Sequence, residues 1–110
     1  MAYSPTKLYR GQPSNVSAET LYTVVTGQTI IVKEISLVNV TDLDATITVY
    51  FVEDGGTAGN ENTIISNITI NARDTIIVEL SNVLSTDETI QAIQGTSGAI
   101  TVHISGVVIS

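Results

Sequence analysis

"ATITVYFVEDGGTAGNEN", residues 45–62, decides the fold. Its opening positions alternate: Ile47, Val49 and Phe51 share one parity, and Thr46, Thr48 and Tyr50 share the other. Successive side chains of a strand point to opposite faces, so this pattern makes one apolar and one polar face. The rest of the segment collects Gly55, Gly56 and Gly59 with Glu53, Asp54 and Glu61. A phosphate cradle places its glycines between a strand and a helix N-terminus. This loop instead leads into the β-branched run 63–70, and its carboxylates repel phosphate. It reads as a mobile hairpin tip whose three glycines supply positive φ angles.

Working outward, the same grammar recurs. Ile, Val and Thr are stiff at χ1 and suit a pleated sheet. Clusters of Gly, Asn and Asp break their runs at short intervals, which is the spacing of an antiparallel sandwich. Strands are expected near 6–10, 19–25, 29–40, 45–53, 63–70, 75–80, 89–94 and 99–109. No dozen-residue stretch carries a 3.6-residue apolar stripe, so helix is expected to be scarce. The inward sets are Ile64, Ile68 and Ile70; Ile76, Val78 and Leu80; and Ile100, Val102 and Ile104. Ile65, Ile77, Val52, Val38 and Val40 fall on the opposite parity and raise the question of a partner surface.

Two strands change phase. Ile30 and Val32 give way to Ile35 and Leu37 across Lys33-Glu34, and Val102 and Ile104 give way to Val107 and Ile109 across Gly106. A bulge absorbs such a one-residue slip. The expected fold is an all-β antiparallel sandwich of about eight strands, jelly-roll-like, with an Ig-like sandwich as the alternative. Residues 1–13 are expected as an extended N-terminal arm and 14–110 as a single sandwich domain.

The 110 residues carry four basic and eleven acidic side chains, a net charge of −7. Nucleic acid and anionic membranes are bound through clustered Lys and Arg, so neither is an expected partner. There is no cysteine, hence no disulfide and no thiolate metal site. The first residues lack the apolar core of a signal peptide, and no run approaches transmembrane length.

Chemistry is hard to place. The one histidine, His103, lies on the polar parity of the last strand with Thr101 and Ser105, where a triad member is not expected. Oxygen ligands for calcium could come from Asp42 and Asp44, in a D-x-D turn, or from Glu53, Asp54, Asn60 and Glu61 around the glycine loop, with Asp42, Asp44, Asp54 and Glu61 the first to test. Neither group has EF-hand spacing, and Asp is an ordinary turn residue, so no metal and no cofactor is expected. Sugar sites stack their ligands on aromatic rings; with no Trp and five aromatics, Tyr50 is the best single platform.

"KLYRGQ" (7–12), "TLYTV" (20–24), "IIVKEISLVN" (30–39), the 45–62 segment, "DETIQA" (87–92) and "ITVHISGVVI" (100–109) together resemble small all-β virion proteins of tailed bacteriophages and prophages. The likeness runs over nearly the whole chain and rests on strand patterns and turns. It implies a non-enzymatic head, connector, tail or fibre component, made in the bacterial host cytoplasm and located in the virion. It carries over no functional residue. A host-surface glycan-binding module is the alternative. A homo-oligomer, with three-fold symmetry by analogy, is expected to form through Lys7, Leu8, Tyr9 and Arg10 of the arm docking on a neighbouring subunit.

Overall fold

The computed structural model describes residues 3–110 as eight strands: β1 (Tyr3–Gly11), β2 (Glu19–Thr23), β3 (Thr29–Asn39), β4 (Ala45–Val52), β5 (Thr63–Ile70), β6 (Thr75–Leu84), β7 (Thr89–Gln94) and β8 (Ile100–Ile109). One 3-10 turn, Asn60–Asn62, interrupts the β4–β5 connection. Every pairing is antiparallel. β4 pairs with β5, β3 with β6, β2 with β7 and β1 with β8, as in one long folded hairpin. Two further seams, β3 to β8 and β4 to β7, wrap that hairpin into four-stranded sheets of order β1-β8-β3-β6 and β2-β7-β4-β5. This is the jelly roll, not the Ig-like alternative.

The two sheets close over one core. Ile30, Ile35 and Leu37 of β3 and Ile100, Val102 and Ile104 of β8 meet Ile47 and Val49 of β4 and Ile90 of β7, all at most 1% exposed. Each such side chain contributes roughly 1.5–3 kcal/mol relative to exposure.

The expected slip in β3 is a bulge at Lys33: Val32 faces Gly106 and Glu34 faces Ser105, which leaves Lys33 unpaired against β8. The expected slip in β8 does not occur. Gly106 is buried on the same parity as Ile104, and Val108 continues it against the core. The neighbours do the bending instead, since β1 also inserts a residue, Leu8, between partners of Ser105 and Ile104. Gly106 permits this convergence: a Cβ there would stand 2.2 Å from the Ile31 carbonyl oxygen.

β5 reverses the expected faces. Ile65 is buried at 7% and Ile64 is 37% exposed, because the strand bulges at 66–67, where Asn67 adopts a φ of 44°. Val52, expected outward, is 1% exposed, with the 3-10 turn folded against its strand. Ile77 and Val40 do stand out, at 57% and 40%.

Of the residues expected as an arm, Tyr3–Gly11 form an edge strand of the sandwich, and residues 1–2 lie outside the described residues. From Tyr3 to Gly11 they pair with β8 of the same chain, and Leu8 is 6% exposed within the shared core. Leu8 and Tyr9 are apolar, and their own sandwich offers them burial without a neighbour.

Candidate functional site

The outer face of β1-β8-β3-β6 holds the most concentrated polar chemistry. Register sets its rows: Lys7, Ser105, Glu34 and Glu79 lie side by side, followed by Arg10, His103, Ser36 and Ile77. On the other side of the charged row come Pro5, Val107, Ile31 and Val83. The bulge at Lys33 puts two successive charged residues on this face. A shallow groove of about 850 Å³ crosses the strands there, lined by Lys7, Lys33, Glu34, Ser36, His103 and Ser105, with Pro5 and Val107 at one end and Val38 at the other.

Few of these groups engage one another. Lys33 Nζ donates to Ser81 Oγ at 2.7 Å, and Ser36 Oγ donates to Glu34 Oε1 at 3.4 Å. Glu34 and Glu79 stand directly opposite each other, an unfavourable like-charge pair. His103 stands opposite Ser36, which donates to Glu34, yet its imidazole makes no side-chain hydrogen bond among the described residues. No general base is therefore engaged with the Ser36 or Ser105 hydroxyl among them.

The outer face of β2-β7-β4-β5 is chemically opposite. β4, β5 and β7 contain no charged residue, and Thr46, Thr48, Tyr50, Gln91 and Ile93 are its half-buried centre. Tyr50 lies between Gln91 and Thr63, outward as its parity requires. No second aromatic joins it there, since Tyr9 and Tyr22 pack against the core.

The candidate calcium ligands are kept apart. Asp42 and Asp44 precede β4 while Asp54 and Glu61 follow it, and eight extended residues span about 27 Å. Asp42 Oδ1 pairs with Arg73 Nε at 2.9 Å, and Asp44 Oδ1 accepts from the Ala72 N–H at 3.0 Å, so both order the turn. Among the described residues no three His, Asp or Glu gather as a metal site.

The glycine loop is a built turn. Asn62 Oδ1 accepts from the Gly59 N–H at 3.0 Å, Asn62 Nδ2 donates to the Thr57 carbonyl at 2.9 Å, and Thr63 Oγ1 donates to the Gly59 carbonyl at 2.7 Å. Of its three glycines only Gly55 has a positive φ, of 75°.

No family model matches the chain, and no curated protein matches it. Among solved structures it is similar to a chain in the structure of infectious bursal disease virus Gx strain, with 15% identity and a TM-score of 0.48. A chain from the Gt strain of the same virus gives 11% identity and a TM-score of 0.49. Each match covers 97% of this chain, which spans about a third (31% and 32%) of the length of those chains. Similarity of this degree assigns no function. These matches come from an avian virus, and the tailed-phage assignment, with its synthesis in a bacterial cytoplasm, is withdrawn. Its whole basis was strand patterns and turns, which unrelated small sandwiches share.

Two residues at the heart of the structure escaped sequence reasoning. Asn39 and Gln94 are buried at 1% and 2%, the only polar side chains so placed among the described residues. Their one sequence signal was an amide on the apolar parity of its strand, after Leu37 and after Ala92.

Proposed function

We propose that this chain is a non-enzymatic structural protein, a β-sandwich subunit that assembles with copies of itself and with other components of a virus particle. The observation that carries the reading is the outer face of β7-β4-β5, three strands with no charged residue on a chain of net charge −7. An acidic protein keeps itself apart by its charges, and interface centres are depleted in charge. Jelly rolls are a common architecture of capsid domains, a fold-level analogy that favours the same setting.

Light scattering over a range of concentrations tests it. A mass that rises to a defined multiple of the subunit is expected, and the multiple reads whether the order is three. A monomer at high concentration overturns the assembly reading. Mass spectrometry of purified particles then tests whether the chain resides in a virion.

A further inference from the structure

Three of the four basic residues, Lys7, Arg10 and Lys33, stand on one sheet face. Against eleven acids, none of the three has a carboxylate partner; Arg73–Asp42 is the only ion pair among the described residues. Two acids, Glu34 and Glu79, share that face with the three cations, while eight of the eleven are in the connections between strands.

Four of those eight connecting carboxylates are already engaged. Asp42 and Asp44 reach across to Arg73 and to the Ala72 N–H in the β5–β6 turn, while Asp74 and Glu88 accept the backbone N–H groups of Thr75 and Ser85. The 53–61 segment differs. It holds Glu53, Asp54 and Glu61 with no basic residue, and none of the three carboxylates has a partner among the described residues. Its backbone is held by Asn62 and Thr63, so docking it costs little ordering.

The edges of the sheets are closed to pairing. β1, β2, β5 and β6, the four edge strands, each carry a register-breaking bulge. Bulges twist an edge away from any strand that would add to it. Copies of this chain must therefore meet through faces and loops.

We propose that the groove across β1, β8 and β3 receives the acidic 53–61 loop of a second copy, so that subunits join head to tail. This rests on the reading above that copies assemble, and adds a contact separate from the uncharged β7-β4-β5 face of the other sheet. Carboxylates of the incoming loop meet Lys7 and Lys33, and the contact covers Pro5, Val107 and Val38 at the ends of the groove. A copy carries a net charge of −7, and in this groove two lysines, Lys7 and Lys33, outnumber the one lining carboxylate, Glu34. Such a contact uses two different patches, so it closes into a ring or runs on as a filament.

The test is a charge swap at exposed positions, followed by sedimentation at low salt. One variant carries Lys7→Glu and Lys33→Glu; the other carries Glu53→Lys, Asp54→Lys and Glu61→Lys. Circular dichroism checks that both fold. Each alone is expected to weaken self-association on the order of tenfold or more, and mixing them to restore it in an alternating complex. A wild-type chain that is monomeric throughout sinks the assembly reading and this contact together. A wild-type oligomer that neither variant weakens leaves assembly standing and overturns the groove. Loss with the lysine variant alone overturns the loop as occupant and assigns the groove to another acidic partner.

Discussion

The side chain of Gln94 takes the place of a strand partner for Ile100. Its Oε1 accepts from the Ile100 N–H at 2.8 Å and its Nε2 donates to the Ile100 carbonyl at 3.4 Å. The same Nε2 donates to the Pro13 carbonyl at 2.6 Å. Gln94 ends β7 in one sheet and Ile100 begins β8 in the other, so this amide joins the layers where the chain crosses between them. Asn39 acts likewise at another crossing, donating to the carbonyls of Leu43 and Ile70 at 2.8 and 2.9 Å.

Replacing Gln94 by Leu keeps the volume and strands those backbone groups. A buried unsatisfied group costs about 1–3 kcal/mol, so Gln94→Leu is expected to lose roughly 2–4 kcal/mol. Urea unfolding reads this as a lower midpoint at unchanged slope. An unchanged midpoint would show that water satisfies the crossing equally well.

Gly106→Ala puts a methyl 2.2 Å from the Ile31 carbonyl oxygen and 3.2 Å from Leu8 Cδ1. The first neighbour is backbone and cannot swing aside. A loss of about 1–3 kcal/mol is expected, read as a fall in Tm. If the alanine variant melts with the parent, β3 and β8 do not approach as closely as described.

Deleting residues 2–11 removes an edge strand and the burial of Leu8, which alone contributes roughly 1.5–3 kcal/mol. The shortened chain is expected to melt far lower or not to fold. A truncated protein with the parent Tm and a smaller mass in solution would instead make β1 an exchangeable arm between subunits.

Tyr9 gives an alkaline signature. Burial, and then the charge of Glu19, hold its phenol above the ordinary value of 10.0. Between the unfolded and folded pKa the native state binds more protons, so stability falls as pH rises. The contribution is complete below pH 10 and declines above it. Tyr9→Phe is expected to flatten the alkaline limb of a Tm-against-pH curve; an unaltered limb would move the effect to another group.

Millimolar calcium, or EDTA, is expected to leave Tm unchanged, since Asp42 and Asp44 are engaged with Arg73 and Ala72 of the β5–β6 turn and lie a strand's length from Asp54 and Glu61. A rise of several degrees would reveal a site by mass action. Arg73→Ala is expected to cost under about 1 kcal/mol, because its pair with Asp42 is exposed.

The eight strands, the outward Tyr50 and His103, and the slip at Lys33 were legible in the residues, because alternation and its interruption are local properties of a chain. What lay beyond reach depends on which strand lies beside which. Ile64 and Ile65 exchange faces because β5 bulges opposite Thr48 of β4. Gly106, read as a phase change, is a contact point for β3, and Leu8 is buried because β8 accepts β1 as its partner. The lysines of the groove follow the same rule. Lys7 and Lys33 are 26 positions apart, and only the placement of β8 between their strands brings them to one groove. Sequence alone determined which residues alternate; pairing between distant strands, driven by burial of the shared core, decided what those residues face.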